Sequence, residues 1–103
     1  MTPEAAQHLE VLTARDRATL FDQLPRRLAH EPSVETRNRK PMQPNPLAPW
    51  ELRVGHLRIY HEVSDKPAPM VTVRAVGIKV RNRIRIGDEW WEPGKAEEPE
   101  KDA

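Results

Sequence analysis

The sequence predicts an α+β domain, with two short N-terminal helices packed on one face of a small antiparallel sheet. A change of hydrophobic period and a change of composition carry that prediction. Apolar residues recur at helical spacing up to Leu28 and at every second position from Trp50 onward. Between them, Pro32, Pro41, Pro44, Pro46 and Pro49 keep the chain extended or turning, so residues 31–49 read as a crossover and not a central strand. At 103 residues there is room for one domain and one modest core.

Thr2 can cap a first helix with Pro3 at its first position, where the missing N–H costs nothing. Ala5, Leu9 and Leu12 then share one helical face. Asp16 is the expected cap of a second helix, whose apolar stripe is Leu20, Phe21, Leu24 and Leu28. Pro25 predicts a kink or a restart, because its ring clashes with the preceding turn. The pair has little apolar surface of its own and needs a sheet to pack on.

From Trp50 the alternation sets up strands. Trp50, Leu52 and Val54 alternate with Glu51 and Arg53, and Gly55-His56 suits a two-residue type II′ turn. That loop fixes the register: Val54 faces Leu57, Arg53 faces Arg58, Leu52 faces Ile59 and Glu51 faces Tyr60. Leu52, Val54, Leu57 and Ile59 then lie on the helix-covered face. His61 falls in the apolar phase of its strand and reads as a packed histidine. After a looser turn at residues 65–69, a third strand over 70–76 carries Val71, Val73 and Ala75 on one side and Thr72 and Arg74 on the other. Gly77 is expected to interrupt it, with a short strand near Ile84–Ile86. Residues 1–93 form the domain, and the polar, acidic residues 94–103 are expected to be disordered.

The net charge of +1 conceals a segregation. Residues 1–36 carry −2, residues 37–87 carry +8 and residues 88–103 carry −5. A +8 segment in a small domain can attract a polyanion or an acidic protein segment. The absence of cysteine excludes disulfides, thiolate metal sites and cysteine nucleophiles. His8, His30, His56 and His61 lack metal-ligand spacing, so neither metal nor cofactor is expected. No apolar run is long enough to span a bilayer, and Met1-Thr2-Pro3-Glu4 does not begin a signal peptide. The expected location is the cytoplasm, with no membrane partner.

The outer sheet face is the candidate site. Arg53 and Arg58 oppose each other there, near Tyr60 and Arg74. Like charges across a ladder are destabilising, so their convergence points to an anion, best a phosphate, which the guanidinium fork binds bidentately. If Ile78, Val80, Ile84 and Ile86 point inward, then Lys79, Arg81, Arg83 and Arg85 extend the basic face, with a register break near Asn82. Arg37, Arg39 and Lys40 add a cluster in the crossover. Tyr60 could stack on a base.

These residues resemble the RelE/ParE toxin superfamily. The resemblance runs through Glu35-Thr36-Arg37-Asn38-Arg39-Lys40-Pro41, Pro44-Asn45-Pro46-Leu47, Trp50-Glu51-Leu52-Arg53-Val54-Gly55 and Leu57-Arg58-Ile59-Tyr60. It continues through Ala75-Val76-Gly77-Ile78-Lys79 and Asn82-Arg83-Ile84-Arg85-Ile86-Gly87, covering about residues 2–91. It implies the toxin of a type II toxin–antitoxin pair, neutralised by a cognate antitoxin. RelE-like members cleave mRNA in the ribosomal A site without a metal, and ParE-like members inhibit DNA gyrase. A degenerate toxin that binds only antitoxin or nucleic acid is the third reading.

On the RelE pattern, Arg53, Arg58, Lys79 and Arg81 take the catalytic places. Arg37, Arg39, Lys40, Tyr60, Arg74, Arg83 and Arg85 become RNA contacts. Arg85 stands where the family has its catalytic tyrosine. The family's first strand, ahead of the first helix, has no counterpart here: either the start codon lies upstream, or the sheet lacks an element and has an exposed edge.

Overall fold

The structure, a computed structural model, describes residues 1–28, 35–45, 47–65 and 69–91. The expected disordered tail and the middle of the turn at 65–69 lie outside the described residues. Thr2 caps the first helix, α1 (Pro3–His8), its Oγ1 accepting from the Ala5 N–H at 3.1 Å. A 3-10 turn over Leu9–Val11 leads into α2 (Ala14–Leu28). Thr13, not Asp16, caps α2: its Oγ1 accepts from the Asp16 N–H at 3.1 Å. Asp16 sits instead in the first turn, where its charge still favours the helix N-terminus.

The helix does not restart at Pro25, since α2 runs through it to Leu28. Pro25 and Phe21 are both exposed, so the carbonyl that loses its partner lies on the solvent side. Phe21 does not join Leu20, Leu24 and Leu28 in the core and stands 55% exposed.

The strands β1 (Arg39–Pro41), β2 (Trp50–Val54), β3 (Leu57–Ser64), β4 (Met70–Val80), β5 (Arg83–Ile86) and β6 (Glu89–Trp91) pair in chain order. Every pairing is antiparallel, so the sheet is a six-stranded meander. The β2–β3 hairpin has the register its sequence predicts, including Arg53 opposite Arg58. Gly55 supplies the positive φ of 59° that the first position of its turn requires. Two strands go beyond the sequence reading. Arg39–Pro41 forms an edge strand within the crossover, where proline's missing donor is tolerated, and Glu89–Trp91 closes the other edge.

β4 departs from expectation twice. It continues through Gly77, and a Cβ there would meet Ile84 Cγ2, Arg85 O and Ile86 Cγ1 at 2.8–2.9 Å. Gly77 is thus a point of close packing, not a break. The register also slips beside Tyr60: Tyr60 faces Ala75, while His61 faces Val73. Arg74 is the extra residue of a bulge, and it turns Ala75 to the face opposite Val73.

Two apolar layers result. Ala5, Leu12, Leu20 and Leu28 of the helical layer pack on Leu52, Val54, Leu57, Ile59, Val73 and Val76 of the sheet. On the far face, Tyr60, Ala75 and Ile84 join Ala48, with Met42, Leu47, Ile86 and Trp91 packed against them. The proline-rich crossover therefore covers part of a face expected to be open. Asn45 shapes this cover: its Oδ1 accepts from the N–H of Leu47 (2.7 Å) and Ala48 (3.1 Å). Its amide donates to the carbonyls of Gln43 (2.6 Å) and Ala48 (3.1 Å).

β4 pairs with β5 only over Gly77–Val80. Along the rest of that edge Thr2 stands in for a strand, its N–H donating to Val73 O at 3.0 Å and its hydroxyl to Arg74 O at 3.3 Å. His8 Nδ1 accepts the Val76 N–H at 3.2 Å.

Candidate nucleic-acid interface

Glu51 organises the centre of the predicted site. Its carboxylate is buried on β2, where Oε1 accepts from Arg53 Nε at 2.8 Å and Oε2 from the Tyr60 hydroxyl at 3.1 Å. The opposed arginines are therefore not a bare pair. Arg53 is held by a carboxylate, and Arg58 lies beneath it, 8% exposed. Arg58 Nη1 donates to Gly55 O at 2.8 Å and Leu57 O at 2.9 Å, which ties the guanidinium to the turn. Burial pushes Arg58 below its ordinary pKa, Glu51 opposes that shift and Arg53 adds to it.

Tyr60 lies in the core with no exposed surface and with Trp91 edge-on at 5.5 Å. Burial first, then the charge and hydrogen bond of Glu51, push its phenol well above the ordinary range. In this position Tyr60 offers neither a face for a nucleobase nor a ready proton acceptor. The stacking role expected of it does not fit this placement.

The β4–β5 hairpin carries the exposed charge. Lys79 lies on the Arg58 side, since Arg58 faces Gly77 and Lys79 is two residues further on. Its N–H donates to His56 O at 2.8 Å, which joins the two turns. Arg81 occupies the turn with a φ of 60°, a left-handed conformation unusual for a side chain of that size. Arg83 and Arg85 lie on the other face, because the two-residue turn pairs Val80 with Arg83 and Ile78 with Arg85. Ile84 and Ile86 pack with Tyr60 and Trp91, so the expectation that all four isoleucine and valine positions share an inward face is corrected.

The remaining predicted contacts divide. Arg37 is exposed in the turn before β1. Arg39 is buried, its Nη2 donating to Arg27 O at 2.6 Å, so it closes the end of α2 and is not on the surface. Lys40 pairs with Glu35 at 3.4 Å and Arg74 with Glu62 at 3.3 Å. His61 is fully buried and stacks on Trp50, as its strand phase predicts. Among the described residues no group of three or more acidic or histidine side chains could hold a metal ion.

Four features escaped the sequence reading. Glu51 was assigned a place opposite Tyr60 but not the role of shared acceptor. Asp16 Oδ2 meets His56 Nε2 at 2.9 Å, linking α2 to the β2–β3 turn. Trp90 is 45% exposed, and the Arg83 Cζ lies 4.3 Å over its ring. A cavity of about 800 Å³ between α1 and β6 has Glu4, Glu10, Asp88 and Glu89 in its lining, opposite in sign to the hairpin.

No family model, curated protein or solved structure matches the chain. Lys79, Arg81, Arg83 and Arg85 have no carboxylate within ion-pair distance among the described residues, whereas Arg26, Lys40, Arg53 and Arg74 each have one. Arg15, Arg17, Arg27 and Arg37 also lack one, but they are scattered over the helices and the crossover, whereas these four lie together on one hairpin with Arg58 at its base. Such a set can bind phosphates and stabilise charge developing on one.

Proposed function

We propose that this protein is a RelE/ParE-like toxin of a type II toxin–antitoxin pair, acting in the cytoplasm on mRNA in the ribosomal A site. The observation that supports this most is the β4–β5 hairpin, whose four cations lack carboxylate partners among the described residues and are divided between the two faces of the sheet. Neutralising phosphates with such groups provides affinity without sequence preference, which suits a protein presented with many messages. Arg58, Lys79 and Arg81 are assigned to the scissile phosphate and Arg53 to positioning. In cleavage the arginines would stabilise negative charge on the phosphate, and the ribosome would hold the message in line for attack. The cognate antitoxin is the assigned partner, drawn by the same charge.

Tyr60 favours a second reading. The phenol is buried against Glu51, out of reach of a 2′-hydroxyl, and Arg85 stands in the family's tyrosine place. A toxin that binds without cleaving, including one directed at DNA gyrase, needs only the surface. Primer extension on a message translated in vitro separates the two. Cleavage by the wild type that falls on the order of 10²-fold in Arg58→Ala supports the ribonuclease. An intact message with inhibited supercoiling supports the gyrase reading, and the absence of both activities leaves a binding protein.

A further inference from the structure

The helix-facing side of β5 and β6 holds a second, smaller arrangement. The register places Val80 beside Arg83, and Ile78, Arg85 and Trp90 in one cross-strand row. Trp90 is 45% exposed and Val80 43% exposed, so the helical layer leaves this strip uncovered. Arg83 Cζ sits 4.3 Å above the Trp90 ring. Neither Arg83 nor Arg85 has a carboxylate partner among the described residues.

We propose that Trp90 and Arg83 form a stacking platform for one unpaired nucleobase of single-stranded RNA, with Arg85 holding an adjacent phosphate. The proposal rests on the reading of this protein as an RNA-directed toxin and adds a site for the base. An arginine laid on an indole is held flat, so the outer plane of its guanidinium presents a surface on which a base can stack. Its N–H edge stays available to phosphate oxygens.

The surroundings orient the strand. Trp90 also borders the cavity where Glu4, Glu10, Asp88 and Glu89 outnumber the one arginine of the lining, Arg74, and this net negative charge repels phosphate but not a neutral base. The backbone is therefore kept on the Arg85 side and the base is directed onto the Arg83–Trp90 stack. Every base has a π-face, so the platform selects single strands over duplexes without selecting sequence.

The test is binding of the full chain to a short labelled oligouridylate and to an abasic strand of the same length, at one fixed salt concentration. The wild type should bind oligouridylate about tenfold more tightly than the abasic strand, the range expected for one stacked base. Trp90→Ala should abolish that preference, and Trp90→Phe should restore most of it. Arg83→Gln should weaken binding to both strands. Because Trp90 is half exposed, these variants should fold, and circular dichroism checks that they do. Equal affinity of the wild type for both strands, or an undiminished preference in Trp90→Ala, would overturn the platform and leave the charge-based reading standing. Binding of neither strand by the wild type would overturn both. Tighter binding of duplex RNA would overturn the platform alone.

Discussion

Arg53 and Arg58 face each other across the β2–β3 ladder, yet only Arg53 reaches the Glu51 carboxylate, at 2.8 Å. Arg58 is bonded instead to the carbonyls of Gly55 and Leu57. Two like charges are tolerated in opposition because one is neutralised and the other is anchored by backbone oxygens. Glu51 is thus a structural carboxylate inside a basic site.

Replacing Glu51 with Gln should therefore separate stability from binding. The variant loses the ion pair to Arg53 and weakens the bond from the buried Tyr60 hydroxyl, at a cost of about 1–3 kcal/mol in urea unfolding. Its RNA affinity should hold or rise, because a negative charge leaves the site. A variant as stable as the wild type would remove Glu51 from its organising role.

Arg58→Ala tests the other half of the relationship. The sequence alone suggests that relieving the cross-strand repulsion leaves the fold intact or slightly steadier. With the side chain buried and bonded to two carbonyls, truncation should instead cost about 1–3 kcal/mol, measured by chemical denaturation. An unchanged midpoint would show that the carbonyls are satisfied by water.

Gly77→Ala forces a methyl group to within 2.8–2.9 Å of Ile84 Cγ2, Arg85 O and Ile86 Cγ1. Overpacking of this kind costs about 1–3 kcal/mol, and here it should loosen β5 from β4. Hydrogen exchange at the β5 amides should accelerate more than at β2. Uniform acceleration over both strands would argue against a local effect.

His8 makes stability depend on pH. Desolvation holds its pKa below the ordinary 6.5, while Glu4 and then Glu89 pull the other way. Its Nδ1 also accepts the Val76 N–H, which only the neutral ring can do. A group with a depressed folded pKa must release its proton to fold, so its full contribution is present above about 6.5 and is lost as pH falls through the folded value. Thermal unfolding should show the wild type losing stability below pH 6.5 more steeply than His8→Gln, whose amide oxygen can still accept. Parallel pH profiles would contradict this.

The legible parts of the fold were those set by local pattern. Alternation from Trp50 and the turn at Gly55 suffice for the β2–β3 register and its buried residues. The bulge at Arg74 left no trace, because Val71 to Val76 alternates well enough to read as a regular strand. Its extra residue is set by how Tyr60 and His61 pack on opposite faces. The sides of β5 were in principle readable, since a two-residue turn at Arg81-Asn82 puts Val80 and Arg83 on one face. Favouring four inward aliphatic residues hid that consequence. The burial of Tyr60 and Arg39 depends on the crossover and the end of α2, which no strand pattern reveals. The exposure of Trp90 is not legible, because an aromatic near a sheet edge reads equally well as core.

On the proposed function, the cations of the β4–β5 hairpin that lack carboxylate partners among the described residues grip single-stranded RNA. The most direct test is the salt dependence of affinity for a short oligoribonucleotide, comparing the wild type with Lys79→Gln/Arg81→Gln/Arg83→Gln. Each neutralised phosphate contributes about 0.7 to the log–log slope for a single strand, so the variant's slope should flatten by about 2. A slope unchanged in the variant, with the protein folded, would show that RNA is held elsewhere and contradict the account.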